Sequence, residues 1–261
     1  FSQWAVEYVK DRAKCPDKPF FLYLAYNAPH TPIQPPKDWL EKGTDREKGI
    51  SKKRAKLVAL IEHLDDGIGK VIAALKATGQ DKNTLIIFTS DNGGQGNVGA
   101  NNGGVKGAKQ QMDEGGIRVP ACAVWPGKIK PGTKFDQVAM TMDIYPTVCQ
   151  AAGAKIAHKI DGVSILDGLC GKKFEIPERY LFWMRLEGGH YKGQIYHAAR
   201  HGRYKLTQNR QTEKLKLYDL QADPTESKPL SEDHEAYKRL SDALAKHIAK
   251  ANKIPWQRPG N

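Results

Sequence analysis

The chain has 261 residues, of which 39% are hydrophobic, a length that allows one large core or two unequal domains. No apolar run approaches the roughly 18 residues that a membrane span needs, so we expect no membrane partner. Forty-one basic and 29 acidic residues give a formal charge of +12, which favours an anionic partner. The basic residues are dispersed and no zinc-finger or RNA-binding pattern accompanies them, so we expect no nucleic-acid partner.

Apolar and amphipathic segments alternate through the first two thirds of the chain. The apolar run 19–26 predicts a strand buried on both faces, and the runs 84–89 and 121–125 predict two more strands. A helical period predicts an opening helix and a long helix over 51–78, whereas 34–50 is predicted to be a polar surface loop. This alternation predicts an α/β fold with a mostly parallel sheet flanked by helices.

The pattern changes near residue 170. Short strand-like segments then follow one another, separated by turns, and a final amphipathic helix spans about 232–251. The strand-like segments lie at 179–186, 195–200, 203–208 and 214–219. They predict a small antiparallel sheet with one helix. We therefore divide the chain into residues 1–170, part of an α/β domain, and residues 171–261, a small α+β C-terminal subdomain.

Polar side chains follow two of the predicted strands at their carboxyl ends. His30 follows the first strand, and Asp91 and Asn92 follow the second. Ligands of open α/β sheets gather beyond these ends, so the three side chains predict one shared site. Carboxylate and amide oxygens suit Ca²⁺ or Mg²⁺, and an imidazole can donate a proton or bind an anion. Each also has a structural explanation, because Asp-Asn-Gly-Gly favours a turn and His30 lies between two prolines.

Two lysines lie in the glycine-rich stretch that follows. Lys106 and Lys109 could hold an anion as compact point charges, although surface lysines look the same in a sequence. No Gly-x-Ser-x-Gly elbow supplies a nucleophile, and none of the four cysteines forms a Cys-x-x-Cys zinc pair. The residues alone therefore predict a binding site and leave its chemistry and the disulfide state open.

Five segments resemble, in the same order, motifs of the sulfatase family, a part of the alkaline-phosphatase-like superfamily. The first three are the strand and Ala-Pro-His-x-Pro loop at 19–32, the long-helix signature at 62–69 and the Ser-Asp-Asn-Gly loop at 89–94. The others are the segment 106–120, which ends Glu-Gly-Gly-x-Arg-Val-Pro, and the Leu-Tyr-Asp-Leu and Asp-Pro-x-Glu pair at 217–226. The resemblance extends over nearly the whole chain and implies part of an alkaline-phosphatase-like catalytic domain.

The resemblance also implies a role for each candidate residue. Asp91 and Asn92 would be ligands of a divalent cation, commonly Ca²⁺ with Mg²⁺ as the alternative. His30 and Lys109 would be catalytic: His30 at the sulfate and leaving oxygen, Lys109 on the sulfate, with Lys106 where an arginine often stands. The implied reaction is hydrolysis of a sulfated small molecule or glycan by a formylglycine made from the Cys or Ser of a Cys/Ser-x-Pro/Ala-x-Arg motif.

This chain contains no Cys/Ser-x-Pro/Ala-x-Arg motif. We therefore expect it to be the C-terminal portion of a longer sulfatase, inactive alone, with the formylglycine and further metal ligands in the N-terminal part. The alternatives are a non-catalytic protein that binds sulfated glycans and a phosphodiester or phosphonate hydrolase of the same superfamily. The resemblance favours a periplasmic or secreted parent, while the location itself, the oligomeric state and the particular sulfate ester stay open.

Overall fold

The computed structural model describes residues 1–46, 49–187 and 194–252, and the chain divides into two compact units. The first unit consists of Phe1–Thr89, Asn97–Ala100 and Ala121–Ile176, and the second of Ser90–Gly96, Asn101–Pro120 and Pro177–Asn261. Two loop segments that carry candidate residues therefore belong to the same unit as the C-terminal sheet. The predicted domain boundary between residues 170 and 171 stays a prediction.

The described residues form seven α-helices. They are α1 (Ser2–Arg12), α2 (Lys37–Arg46), α3 (Lys52–Ala77), α4 (Glu114–Ile117), α5 (Ile144–Ala151), α6 (Leu166–Leu169) and α7 (Glu235–Ala251). Single 3-10 turns add Asp81–Asn83, Gly96–Val98 and Thr141–Asp143. In the ranges that the structure describes, no helix combines the length and the apolar character that crossing a membrane requires.

The described strands form two sheets. They are β1 (Ile86–Thr89), β2 (Ala121–Val124), β3 (Leu181–Leu186), β4 (Ile195–His201), β5 (Tyr204–Gln208) and β6 (Lys216–Asp219). The mixed α/β class is confirmed. However, β1 and β2 pair antiparallel, with Ile86 opposite Val124, where the sequence predicts mostly parallel pairing. Hydrophobic patterning identifies strands but not their direction, because direction depends on how the connecting segments run.

The long helix α3 begins where the sequence predicts it. Ser51 is the N-cap residue, and its hydroxyl accepts a hydrogen bond from the backbone N–H of Arg54 at 3.3 Å. Helix α1 packs against α3, and Val9, Ala74 and Leu75 form the buried cluster of the first unit. The predicted opening helix and the predicted helix over 51–78 are both confirmed.

The prediction of a surface loop at residues 34–50 is wrong in its central part. Helix α2 lies there and packs against α3, with the ring centroids of Trp39 and His63 5.7 Å apart. This ten-residue helix has only two large apolar side chains, Trp39 and Leu40, and a helix of this length is marginal in isolation, so packing against a neighbour stabilises it. That contribution is not visible in the local sequence.

The buried strand predicted at residues 19–26 is also wrong. This segment forms no helix and belongs to no sheet in the described structure, and Phe21 and Tyr23 are 70% and 81% exposed. A strand buried on both faces needs neighbouring strands and two covering layers. Within the first unit only Phe20 of this run packs against the buried cluster, with its ring 5.7 Å from that of Tyr8.

The second unit contains the four-stranded antiparallel sheet β3-β4-β5-β6 and helix α7. Leu206 and Leu217 on the sheet pack with Leu240 and Leu244 on α7, and all four are buried. Each strand of this sheet begins and ends within about two residues of its predicted bounds, and α7 begins within about three. The predicted antiparallel sheet with one helix is therefore confirmed. The same sheet supplies charged side chains that lie behind the candidate loops.

Candidate functional site

The Asp91–Asn92 loop begins directly after β1 in the chain. The side-chain amide of Asn92 donates a hydrogen bond to the Asp91 carboxylate, and the Ser90 hydroxyl donates to the backbone carbonyl of Asn92 at 3.1 Å. Asp91 is exposed and Asn92 is half-buried. The loop therefore presents two oxygen-bearing side chains next to each other at the surface of the second unit.

The glycine after this pair is fixed by close backbone contact. The Gly93 N–H donates to the carbonyl of Gly116 at 2.9 Å. A Cβ atom at Gly93 would lie 1.8 Å from the carbonyl oxygen of Gly115, and one at Gly115 would lie 2.2 Å from that of Gly107. Only glycine allows three backbone segments to approach this closely. The glycines that follow Asp91–Asn92 therefore have a packing role besides any role in a turn.

Lys109 is joined to the same loop through its backbone. Its N–H donates to the carbonyl of Gly94 at 3.0 Å, which places residues 91–94 and 106–111 side by side. The Lys109 side chain is half-buried, and among the described residues its ammonium has neither a hydrogen bond nor an ion pair. An ammonium in this position is available to an anionic ligand.

Asn102 connects these two segments and was not among the predicted site residues. Its Oδ1 accepts from the N–H of Gly94 at 2.7 Å, while its Nδ2 donates to the carbonyls of Gly94 and Gly107 at 3.2 and 3.1 Å. The amide thus satisfies backbone groups on both segments. The sequence signal is weak, because an Asn beside glycines is also typical of an ordinary loop.

Lys106 has a different environment from Lys109. Its ammonium donates to the hydroxyl of Tyr218 at 3.1 Å and to the backbone carbonyl of Glu226 at 3.3 Å, and it lies 3.5 Å from a carboxylate oxygen of Asp113. Burial opposes the charge, but Tyr218 and Asp113 outweigh it and raise the pKa of Lys106. Lys106 is therefore a charged lysine with protein partners, and its predicted contact with the substrate stays a prediction.

A buried charged cluster packs against the short turn Glu114–Gly115–Gly116 at the start of α4, which we call the glycine turn. Nζ of Lys205 is 2.8 Å from Oε1 of Glu114 and 2.9 Å from Oε1 of Glu226, and the second oxygen of Glu226 accepts from the N–H of Glu114 at 2.6 Å. The relative exposures of Lys205, Glu114 and Glu226 are 0%, 5% and 1%. We call these three residues the buried charge cluster. The sequence prediction missed it, although Glu226 belongs to the Asp-Pro-x-Glu motif.

His30 lies in the first unit and the other candidate residues lie in the second. The backbone N–H of His30 donates to the carbonyl of Asn27 at 2.8 Å, and its ring Nδ1 lies 2.8 Å from the carbonyl oxygen of Thr31. The exposed ring lines an open groove of about 530 Å³ together with Tyr26 and His63. A site that His30 shares with Asp91, Asn92 and Lys109 stays a prediction.

The donor chemistry of Asp91 and Asn92 fits a hard divalent cation in part. A carboxylate and an amide oxygen are ligands that Ca²⁺ and Mg²⁺ accept, but Ca²⁺ takes about six to eight oxygens. No group of three or more His, Cys, Asp or Glu side chains arranged to hold a metal occurs in the part of the chain that the structure describes. By itself the pair would supply only part of the oxygen ligands that such a cation takes.

Comparison with known proteins gives consistent matches along the chain. A family model described as Sulfatase matches residues 3–154, and one described as N-sulphoglucosamine sulphohydrolase, C-terminal, matches residues 107–254. The chain is 41% identical over 181 residues to the protein named Uncharacterized sulfatase YdeN of Escherichia coli (strain K12), which covers 67% of this chain and 31% of that protein. It is 29% identical over 282 residues to the N-acetylgalactosamine-6-sulfatase of Mus musculus, which covers 94% of this chain and 50% of that protein.

A solved structure agrees with these matches. The structure titled "Crystal structure of Ps i-CgsB in complex with k-i-k-neocarrahexaose" has a TM-score of 0.83 and 30% identity, covering 96% of this chain and 53% of that one. The chain spans about a third to a half of the length of the curated relatives it matches. Because the Sulfatase model alone matches more than half of the residues, the chain belongs to the sulfatase family.

Proposed function

We propose that the protein is a sulfuric-ester hydrolase that acts on a sulfated carbohydrate, and that this chain supplies part of its cation and sulfate site. The observation that carries the proposal is the hydrogen bond from Lys109 N–H to the Gly94 carbonyl, which joins an available ammonium to the Asp91–Asn92 loop. Family membership supports the ester class. Two similar proteins support the substrate class, because one is named N-acetylgalactosamine-6-sulfatase and the structure of the other contains a neocarrahexaose.

The proposed roles follow from the chemistry of each side chain. Asp91 and Asn92 would hold a divalent cation, Ca²⁺ with Mg²⁺ as the alternative, and such a cation withdraws charge from sulfate oxygens. Lys109 would bind a sulfate oxygen, with its backbone already fixed against the loop. His30 would bind the sulfate group and assist the leaving oxygen by proton transfer. Lys106, a charged residue, is proposed as a further sulfate contact.

Sulfate binding by the chain tests the proposal directly. Inorganic sulfate, titrated while amide resonances are recorded, should shift the signals of residues 91–94 and 106–111. Lys109→Met should weaken binding about tenfold or more, because a hydrogen bond to a charged group contributes about 1.5–3 kcal/mol. Lys130→Met, at an exposed lysine of the first unit, is the control. Equal sulfate affinity in the two variants would contradict the proposed role of Lys109.

Turnover by the chain alone is expected to be negligible. It contains no Cys/Ser-x-Pro/Ala-x-Arg motif, so it lacks the residue from which the family's nucleophile is made. The check is the release of 4-nitrophenol from 4-nitrophenyl sulfate by the purified 261-residue chain. Steady release that scales with protein concentration would show that the chain carries a nucleophile of its own.

The coding sequence that precedes residue 1 separates a hydrolase from a non-catalytic glycan-binding protein. A Cys/Ser-x-Pro/Ala-x-Arg motif there would support hydrolysis. A complete coding sequence without that motif would contradict the catalytic proposal and favour binding of sulfated glycans without cleavage. Tighter binding of inorganic phosphate than of sulfate at Lys109 would instead favour a phosphodiester or phosphonate hydrolase.

A further inference from the structure

We infer that the buried charge cluster of Lys205, Glu114 and Glu226 positions the Asp91–Asn92 loop and Lys109, with Glu226 as the central positioning residue. The inference rests on the proposed function in one respect: only if the loops bind cation and sulfate does their position matter for catalysis. The coupling between the buried charge cluster and the loops can be measured whether or not they bind these ligands. All the residues concerned belong to the second unit. The cluster would act through the backbone of the glycine turn and would not touch substrate or cation.

The first step runs from Glu226 to the glycine turn. Its two carboxylate oxygens have separate partners: Oε2 accepts from the N–H of Glu114 at 2.6 Å, and Oε1 lies 2.9 Å from Nζ of Lys205. Nζ of Lys205 also donates to Oε1 of Glu114 at 2.8 Å. Both the backbone and the side chain of Glu114 are therefore fixed by charged partners that are almost fully buried.

The second step runs from the turn to the candidate residues. The N–H of Gly115 donates to the carbonyl of Lys106 at 2.7 Å, and the carbonyl of Gly116 accepts from Gly93 at 2.9 Å. The residues immediately after Glu114 thus bond to both segments that carry the proposed ligands. A shift of the turn by a fraction of an ångström would be transmitted, because a Cβ atom at Gly93 or Gly115 would already overlap a neighbouring carbonyl.

The backbone of Glu226 gives independent support. Its φ angle is +53°, a left-handed conformation that residues other than glycine adopt at a cost. Its backbone carbonyl also accepts from the Lys106 ammonium at 3.3 Å. A buried glutamate in this conformation is costly for two reasons, the backbone strain and the desolvated charge. A position that required only a turn would be satisfied by glycine, so the side chain itself is what the fold retains.

Amide hydrogen exchange on Glu226→Gln tests the inference. A carboxamide has one acceptor oxygen and one –NH₂ donor, so when its oxygen accepts from the Glu114 N–H its –NH₂ group faces the Lys205 ammonium, donor against donor, and the compensating charge is lost. Exchange at Gly93, Lys109 and Gly115 should therefore accelerate about tenfold or more, the effect of losing a charge-assisted hydrogen bond. The matched control is Glu232→Gln, which weakens the exposed Lys214–Glu232 pair of 3.0 Å in the same unit and should leave these rates unchanged.

The pattern of exchange separates positioning from general destabilisation. If the cluster positions the loops, Leu206 and Leu217 in the core should keep their protection in Glu226→Gln while the three loop amides lose theirs. Acceleration at all five amides by the same factor, or at none, would overturn the inference.

A second measurement requires no variant. In the unmodified chain under low urea, the amides of Gly93, Glu114 and Gly115 should open with one common free energy, because the Glu114 N–H is the backbone donor bonded to Glu226. Opening of Gly93 far more readily than Glu114 and Gly115 would overturn the inference.

A measurement of cation binding distinguishes a failure of the proposed function from a failure of this inference. Tb³⁺ luminescence is the probe for an oxygen site, and Asp91→Ala should abolish it in the 261-residue chain. Glu226→Gln should weaken Tb³⁺ binding about tenfold if the loop is mispositioned. Absence of an Asp91-dependent Tb³⁺ signal in the unmodified chain would contradict the proposed cation site, whereas the exchange pattern decides the positioning role of Glu226 in either case.

Discussion

Two family motifs have contrasting surroundings in this chain. The loops around Asp91 and Lys109 are held within their own unit by backbone hydrogen bonds and by the buried charge cluster. The segment 19–26 is the most apolar motif, yet Phe21 and Tyr23 are largely exposed. Apolar composition therefore does not by itself bury a segment. Burial and fixed geometry follow from partners, and in the loops those partners are polar and charged groups that the hydrophobic pattern does not reveal.

Removal of the buried Lys205 ammonium should have the largest effect on the free energy of unfolding. Lys205→Met leaves Glu114 and Glu226 buried without a compensating charge, which typically costs about 3–5 kcal/mol of unfolding free energy. Urea denaturation of the two chains measures the difference. Lys214→Met, which removes an exposed pair, should cost less than about 1 kcal/mol. A loss at Lys205 no larger than at Lys214 would show that the cluster does not order the loops.

A methyl group at the close backbone approach should have the next largest effect. Gly93→Ala would place Cβ 1.8 Å from the Gly115 carbonyl oxygen, so the two segments must separate, at a cost of about 1–3 kcal/mol. Protection of the residue 93 amide against exchange should be lost. Gly96→Ala is the control, since nothing lies within 4 Å of a Cβ there. Retained protection in Gly93→Ala would mean that the backbones at residues 93 and 115–116 are not tightly packed against each other.

Acid should weaken the turn that carries Glu226. The Lys228 N–H, opposed by desolvation and aided by the Thr225 and Ser227 hydroxyls, lowers the pKa of Asp223 from 3.8 to about 2. Because the folded pKa lies below the unfolded one, the stabilisation is complete above about pH 4 and is lost as the pH falls towards 2. Carboxyl NMR titration should give a midpoint near 2, and Asp223→Asn should show a flatter acid dependence of stability. A midpoint near 3.8 would contradict the hydrogen bonding of this turn.

The exposed segment should show the smallest effect. Tyr23→Ser should change the unfolding free energy by no more than about 0.5 kcal/mol, because its ring is 81% exposed. Phe20→Ser, three residues earlier, should cost about 1 kcal/mol or more, because Phe20 packs against the buried cluster of the first unit. Thermal denaturation of both variants checks the difference. A larger loss at Tyr23 than at Phe20 would reverse the contrast between the two motifs.

Local pattern predicted the second unit well and the first unit only in part. The alternating strands and the amphipathic helix α7 carry their own periodicity, so both were predicted within a few residues. Helix α2 was missed because its stability comes from packing on α3, a contact between separate segments. The Asp91–Asn92 pair was predicted from its place after a strand. Lys205 and Glu226 were missed because their roles depend on partners in separate segments, and Asn102 was missed because an Asn beside glycines is typical of any loop.

The sequence by itself determined the family, the strand-then-loop position of Asp91 and Asn92, and the small sheet with one helix. Short-range periodicity and ordered motifs are sufficient for these features. Only the tertiary structure decided that Lys109 adjoins the Asp91–Asn92 loop, that Lys106 is bonded to Tyr218, and that Lys205 is buried between two carboxylates. The physical reason is that Coulombic and hydrogen-bonding contributions depend on distance and burial, which folding creates between residues that are about 15 to 110 positions apart in these contacts.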